Sequence, residues 1–406
     1  MDAFFVGVER LRDPSLAGKP VVVGGAGPRG VVAAASYEAR VFGLRSAMPM
    51  SQALRRCPHA IVLAGDYQRY AEMSRRLFDH FTDLTPMVEP IALDEAFLDV
   101  SGATRLLGSE RDIAGRLRER IAKQEGLQCS VGVGPSKLVA KLASEAAKPT
   151  VRDGRVSPGA GVTVIAASEV TAFLYPLPVR ALWGVGAKTS ERLARYGVRT
   201  VGDVAEMPLP LLRNCVGEAL GRHLHQLANG IDDRPVEVER EAKSISHEET
   251  FPYDIFERER LEVGVTRMAD AVALRLRRAE LYAARVSVKV RYGSFRLITR
   301  TQSLVSPTRL TSTIEEAAQG LLASVDLAEG VRLLGVGVGL HSGPMATQLS
   351  LEAPEEAHQQ REAVESAMDE IRGRFGDHAI GAATLLEGGK LRIKRRGDAQ
   401  WGPDGG

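Results

Sequence analysis

Two apolar runs separated by a pair of adjacent acids constrain this chain more than any other feature. Residues 88–93 and 96–100 read as strands, and only Asp94 and Glu95 lie between them, which is hairpin spacing. On a regular strand, adjacent side chains point to opposite faces. A turn escapes that rule, so both carboxylates can aim at one place. Paired hard oxygen donors suit Mg²⁺, which keeps several waters and shares its shell with substrate phosphates. A solvated acidic turn is the plain alternative. A third acid, Asp2, enters the opening run Met1-Asp2-Ala3-Phe4-Phe5. Residues 2–8 read as a short strand, for which a core strand with a charged start is the simplest account.

Strands are expected at 19–25 and 30–35, and a helix at 51–57. A longer helix is expected over 67–81, because Tyr70, Met73, Leu77 and Phe81 recur at steps of three or four. Ile113, Leu117 and Ile121 mark another. A strand near 129–133 follows, then a helix over 137–147 that Pro149 stops. Residues 152–161, rich in Gly, Pro and charge, read as an exposed loop. Strands alternate with helices up to about 168, as in one α/β unit. Residues 172–230 read as helical throughout, and 231–235 as a linker. Residues 243–340 read as strand, helix, two strands, helix, strand. The polar remainder, 348–406, holds one charged helix near 359–374.

At 406 residues the chain is too long for one core and implies two to four domains. The net charge is only +2, so any basic surface must be local. One such surface lies in 267–309, where Asp270 and Glu280 are the only acids among nine arginines and Lys289. Along 285–291, Arg285, Ser287, Lys289 and Arg291 point one way and three valines the other. A polyanion is the natural partner for that face, and Arg296 and Arg300 follow it. Lys137, Lys141 and Lys148 recur at steps of four and seven, which places them on one helix face, either solvated or turned to phosphate. Tyr37 and Arg40 can clamp one anion through a hydroxyl and a guanidinium fork, or belong to an ordinary amphipathic turn. The turn Gly184-Val185-Gly186, with Lys188 beyond it, can bring backbone N–H groups up to a phosphate, or simply join two helices tightly. The three cysteines, Cys57, Cys129 and Cys215, are far apart. They make neither a metal spacing nor a disulfide framework, as expected in a reducing cytoplasm. No apolar run reaches the roughly 20 residues that span a bilayer, and the start does not read as a signal peptide.

The segments MDAFF, YEAR, IALDEAFLD, SVGVG with its lysines, and Lys148-Pro149 occur in the order found in the Y-family of DNA polymerases. The chain resembles that family over nearly its whole length, its polymerase IV-like members most. The resemblance implies an α+β multidomain fold, a right-hand polymerase. A ferredoxin-like palm would take 1–8 and 65–168, inserted fingers 9–64, and a helical thumb with a helix-hairpin-helix 169–232. A linker would take 233–242, an α/β little finger 243–345 and a polar C-terminal tail 346–406. It implies low-fidelity, template-directed DNA synthesis past lesions, with two Mg²⁺ ions. Asp94 and Glu95 would be the catalytic metal ligands, and Asp2 matches the second acid of the family's D-M-D motif. Phe5 would be the steric gate against a ribose 2′-OH, with Phe4 beside it. Tyr37, Arg40 and Lys148 would hold the triphosphate. Gly184, Gly186, Lys188, Arg285, Lys289, Arg291, Arg296 and Arg300 would meet DNA. Gln348, Leu349 and Leu351 resemble the peptide that docks polymerases on a sliding clamp, without its aromatic. The partners implied are primer–template DNA, deoxynucleoside triphosphates and that clamp, for a cytoplasmic monomer away from membranes.

The sequence departs from the family pattern in four places. Ala92 replaces a serine in the hairpin, Ala34 stands where many members carry a hydroxyl, and Pro135-Ser136 precede Lys137. The first aspartate of D-M-D would sit immediately before Met1. Met1 is therefore expected to be the internal methionine of that motif, with the natural start upstream, and the chain as written to bind primer–template but extend it poorly. The alternative is a non-catalytic DNA-binding adaptor of the same family; a helix-hairpin-helix repair enzyme is more distant.

Overall fold

The computed structural model describes residues 1–239, 241–341, 355–388, 390, 391 and 393. Met1–Gly24 with Val31–Arg240 makes one compact unit, and Gly25–Gly30 with Glu241–Gly406 the other.

In the first unit the opening run is not a strand. Phe4–Arg12 forms helix α1, entered through Ala3 in the left-handed region at φ 49°. Short apolar runs do not distinguish strand from buried helix. Packing decides here: Phe4 and Val8, one turn apart, share a core with Tyr70, Leu77, Leu117 and Ile121. Arg10 and Arg12 lie in the last turn, where the helix dipole favours cations. The boundary expected between residues 8 and 9 falls inside α1.

A three-stranded sheet follows, with β1 (Val21–Gly24) between antiparallel β2 (Val32–Ala35) and parallel β3 (Ile61–Leu63). Helices α2 (Tyr37–Val41) and α3 (Met50–Arg56) cover it. Helix α4 (Tyr67–Thr82) buries the expected Tyr70, Met73, Leu77 and Phe81. The hairpin strands β4 (Val88–Pro90) and β5 (Ala96–Leu98) are shorter than expected, and the turn is longer. Ile91 and Ala92 both donate to the Glu95 carbonyl, closing a five-residue loop over 91–95. Pro90 has no N–H to extend the ladder. After the short α5 (Thr104–Leu107) comes α6 (Glu110–Glu125). A capping box of Ser109 and Asp112 starts it, and Gly126 at φ 68° ends it.

Strand β6 (Val131–Val133) leads into α7 (Lys137–Ala147). The loop expected at 152–161 holds a small hairpin, β7 (Thr150–Arg152) with β8 (Arg155–Ser157), and β9 (Val162–Val164) returns parallel to β6. Five helices follow: α8 (Val170–Leu174), α9 (Ala187–Ala194), α10 (Val201–Glu206), α11 (Leu209–Val216) and α12 (Glu218–Ala228). They share a core with Leu138 and Val139 of α7.

The second unit repeats the expected order. Strands β10 (Ser244–Ile255), β11 (Ala283–Tyr292), β12 (Leu297–Thr308) and β13 (Val331–Leu340) form one antiparallel sheet in the order β10-β13-β11-β12. Helices α13 (Arg258–Arg278) and α14 (Thr311–Ala323) cover one face. Leu261, Val265, Met268, Val272 and Leu276 of α13 are buried at helical spacing, each contributing on the order of 1.5–3 kcal/mol. The described part of the expected polar tail docks on this unit. Helix α15 (Glu355–Phe375) presents Asp369 to Arg277 at 2.6 Å, and places the buried Arg372 against Asp270 at 3.0 Å. No helix among the described residues is long and apolar enough to cross a membrane.

The glycines of SVGVG have a structural task. A Cβ on Gly132 would lie 2.1 Å from both the Ala140 carbonyl oxygen and the Ser144 nitrogen, so α7 rests directly on β6. Gly132→Ala is expected to push the helix off the strand. It should destabilise the first unit by about 1–3 kcal/mol or more, read as a lower denaturant midpoint. An unchanged midpoint would contradict the close contact.

Candidate active site and nucleic-acid interface

The acid pair sits at a cleft of about 640 Å³ lined by Met1, Asp94, Glu95, Ser130, Lys141 and Lys148, among others. Helix α7 supplies cations to the hairpin. Lys137 Nζ lies 2.6 Å from Glu89 and 5.5 Å from the Phe97 ring centre, and Lys141 Nζ lies 2.9 Å from Glu95. Lys148 does not continue that face. It caps α7 in an extended conformation, as a residue before proline must, and pairs with Glu145 at 2.6 Å. Burial opposes the charge on Glu145, but its bond to Lys148 and the charges of Lys148 and Lys141 prevail and hold its carboxyl below the usual range. The Met1 α-ammonium donates to the Asp94 carbonyl at 3.0 Å and pairs with its carboxylate at 3.1 Å. Asp2 accepts from Ser130 Oγ at 2.9 and 3.0 Å, and its own N–H donates to Gln128.

Tyr37 and Arg40 stand one turn apart on α2, which Ser36 caps through the Ala39 N–H. The Arg40 guanidinium lies over the Tyr37 ring at 4.4 Å, and its Nε donates to the Ala35 carbonyl. The Tyr37 phenol oxygen is buried without a hydrogen bond of good geometry. Burial, with the nearby charge of Asp2, pushes its pKa up to about 12, so it is a neutral donor at physiological pH. A donor in that state suits an anion. Phe5 is half-buried and Phe4 buried, their ring centres 5.7 Å apart.

Among the described residues no three His, Cys, Asp or Glu side chains converge as metal ligands. The hairpin nevertheless fits a divalent ion in donor chemistry. Its carboxylates are hard oxygen donors, and Lys141, with which Glu95 pairs, is a cation that a metal can replace.

Gly184 takes φ 91°, and Gly186 caps α9. With Lys188 they are exposed, and a Cβ on Gly186 would meet nothing within 4 Å. In the second unit β11 alternates as expected: Val286, Val288 and Val290 are buried, while Arg285, Lys289 and Arg291 face away from the helices. Gly335, Gly337 and Gly339 of β13 lie beside them in register. They floor a shallow trough of about 340 Å³ with Ser246, Ser287, Thr299 and Thr301 on its walls. Two of the expected basic residues do not join this face. Arg300 pairs in register with Val288, on the other side of the sheet. Arg296 lies in the β11–β12 turn, over the Tyr292 ring at 4.2 Å and ion-paired with Glu329. Gln348, Leu349 and Leu351 lie outside the described residues.

The sequence pattern of the impB/mucB/samB family matches residues 1–145, and that of its C-terminal domain residues 242–351. The pattern of a DNA polymerase-iota thumb domain matches 180–232. The chain is 39% identical over 388 residues to a DNA polymerase IV of Desulfatibacillum aliphaticivorans, covering 95% of each chain. To that of Streptomyces coelicolor it is 46% identical over 340 residues, 83% of this chain and 69% of the relative. A solved Y-family DNA polymerase chimera, Dbh-Dpo4(243-245)-Dbh, superposes with TM-score 0.74 at 25% identity, covering 83% of this chain and 96% of that one. This chain belongs to the Y family of DNA polymerases. Enzymes of the Y family use divalent metal ions, and the adaptor alternative finds no support among these relatives.

Reading the Y-family motifs alone misses the side chains that hold them. Glu89, and Asp232, which accepts from the Leu138 N–H at 2.9 Å, act across long stretches of sequence. Their one local signal is a polar residue beside a motif. Truncating Lys289 and Arg291 to alanine tests the basic face. Charge reversal is avoided because Lys289 pairs with Glu248, and a carboxylate there would repel it. Affinity is expected to fall alike for all DNA sequences, and each lost phosphate contact should lower the log–log salt slope by about 0.9. A sequence-selective loss, or an unchanged slope, would contradict this assignment.

Proposed function

We propose that this chain is a template-directed DNA polymerase of low fidelity that acts in translesion synthesis. The observation that carries the reading is the Asp94–Glu95 loop at an open cleft, with Lys137 and Lys141 behind it. The primer 3′-oxygen attacks the α-phosphorus of a deoxynucleoside triphosphate, the bond to the bridging oxygen breaks, and pyrophosphate leaves. Asp94 and Glu95 would hold two Mg²⁺ ions, with Asp2, now bonded to Ser130, as the further acid of the family motif. When bound, such ions favour the deprotonated 3′-oxygen and stabilise charge on the leaving group. Tyr37, Arg40 and Lys148 bind the triphosphate oxygens, the first as a neutral donor and the others as cations. Phe5 closes the space a ribose 2′-OH would need, and Phe4 backs it.

The segments are assigned as palm (1–8 and 65–168), fingers (9–64), thumb (169–232) and little finger (243–345), with α1 running on from palm into fingers. Gly184, Gly186 and Lys188 meet the DNA backbone at the start of α9, and Arg285, Lys289 and Arg291 meet it on the sheet. The protein acts as a monomer, with a sliding clamp as a further partner through residues 348–351. Its three free, buried thiols suit the cytoplasm, and burial pushes that of Cys129 up to about 11.

Primer extension with Mg²⁺ tests the reading. Asp94→Ala is expected to remove nucleotide transfer by at least about a hundredfold, the scale of losing one charge-stabilising group. Primer–template affinity should stay nearly unchanged, because the carboxylate faces the cleft and not a core. Extension at the parent rate would refute the site.

A further inference from the structure

Helix α1 carries Phe5 and, one turn later, Glu9. Between them on the same face sits Tyr70 of α4. Its ring stacks on Phe5 with centres 4.3 Å apart and planes inclined by 16°. Its hydroxyl donates to Glu9 Oε1 at 2.7 Å. Tyr70 is 2% exposed and Glu9 5%, so a full carboxylate is withdrawn from water to hold one phenol. Phe4 closes the cluster, its ring centre 6.3 Å from that of Tyr70. Burial, reinforced by the bond to Glu9, raises the Tyr70 pKa, so the phenol stays a donor.

An aromatic core needs none of this polarity. A phenylalanine at 70 with an apolar residue at 9 would fill the same volume without burying a carboxylate. The hydrogen bond adds position: it anchors the hydroxyl end of the Tyr70 ring, and the stack holds Phe5 against that fixed face.

We propose that Tyr70 and Glu9 are the positioning pair for the Phe5 gate, a backing plate that keeps the ring where a ribose 2′-OH would otherwise fit. The inference rests on the reading of Phe5 as the gate. Without the plate the Phe5 side chain can turn back into the space Tyr70 filled, and a ribonucleotide is admitted. The loss of selectivity then comes from a gain with the ribonucleotide, which a damaged fold would not produce.

The test measures kcat/KM for a deoxynucleotide and its ribonucleotide in the intact protein. Phe5→Ala is expected to lower the deoxy-to-ribo ratio on the order of a hundredfold, and Tyr70→Ala about tenfold, by raising the ribonucleotide value, as when an apolar wall admits one small group. Tyr70→Phe, which keeps the volume, should move the ratio in the same direction, and it carries the test if the alanine variant does not fold. Glu9→Gln keeps an acceptor and should hold the ratio, while Glu9→Ala should lower it. In the Phe5→Ala background, Tyr70→Ala should change the ratio no further, because a residue acting through another is not additive with it. If Phe5→Ala lowers the ratio and the Tyr70 and Glu9 variants do not, the positioning pair is wrong and the gate stands. An additive double variant would likewise overturn the pair. A Phe5→Ala protein with the parent ratio would overturn the gate itself, and the pair with it.

Discussion

The contact on which the cleft at Asp94 and Glu95 depends is the charge pairing of a hairpin with a helix. Lys137 and Lys141 leave one face of α7 and meet Glu89 in the first hairpin strand and Glu95 in the acidic turn. The first pair is nearly buried, its side chains 10% and 13% exposed. Breaking such a pair from one side leaves an uncompensated charge and costs about 3–5 kcal/mol. The lysines therefore fix the hairpin and offset the repulsion of adjacent carboxylates. Gly132 makes this possible, because only a residue without Cβ lets α7 lie on β6 at this distance.

The same logic recurs with different groups. Around Tyr37 and Arg40 the backbone is pinned by Ser36, whose hydroxyl accepts from the Ala39 N–H and from the Val21 N–H. That ties the Tyr37–Arg40 turn to the central strand of its sheet. Arg10 of α1 pairs with Glu38 at 2.7 Å, so the helix that carries Phe5 also braces the turn that carries Tyr37. In the second unit Arg277, held by Asp369 of α15, fastens the C-terminal helix to the helical side of the sheet. The opposite face keeps its glycine trough and its basic edge.

Periodicity was the strongest sequence signal and it held where elements are long. The helices at Tyr70–Phe81, Ile113–Ile121 and Lys137–Ala147, and the whole strand and helix order of 243–340, stand as expected. So does the split of β11 into a valine face and a charged face. It failed where runs are short. FFVGV folds as a helix, yet its buried Phe4, Val6 and Val8 also fit the alternation of a strand, so the pattern alone could not tell the two apart. The hairpin turn came out longer than two residues because Pro90 ends the ladder early. Lys148 left the lysine face because Pro149 forces the residue before it out of the helix.

By itself the sequence determined which residue types stand in which order: the acid pair in an apolar hairpin, the Tyr37–Arg40 turn, the lysine helix and the alternating basic strand. These are local, and local spacing encodes them. Only the tertiary structure decided what each charge meets. Glu95 lies 46 positions from Lys141, Asp2 lies 128 from Ser130, and Tyr70 lies 61 from Glu9. No periodicity links residues so far apart. Their meeting follows from the packing of helices on strands, which is fixed by the shape of buried side chains and by the few glycines that let backbones touch.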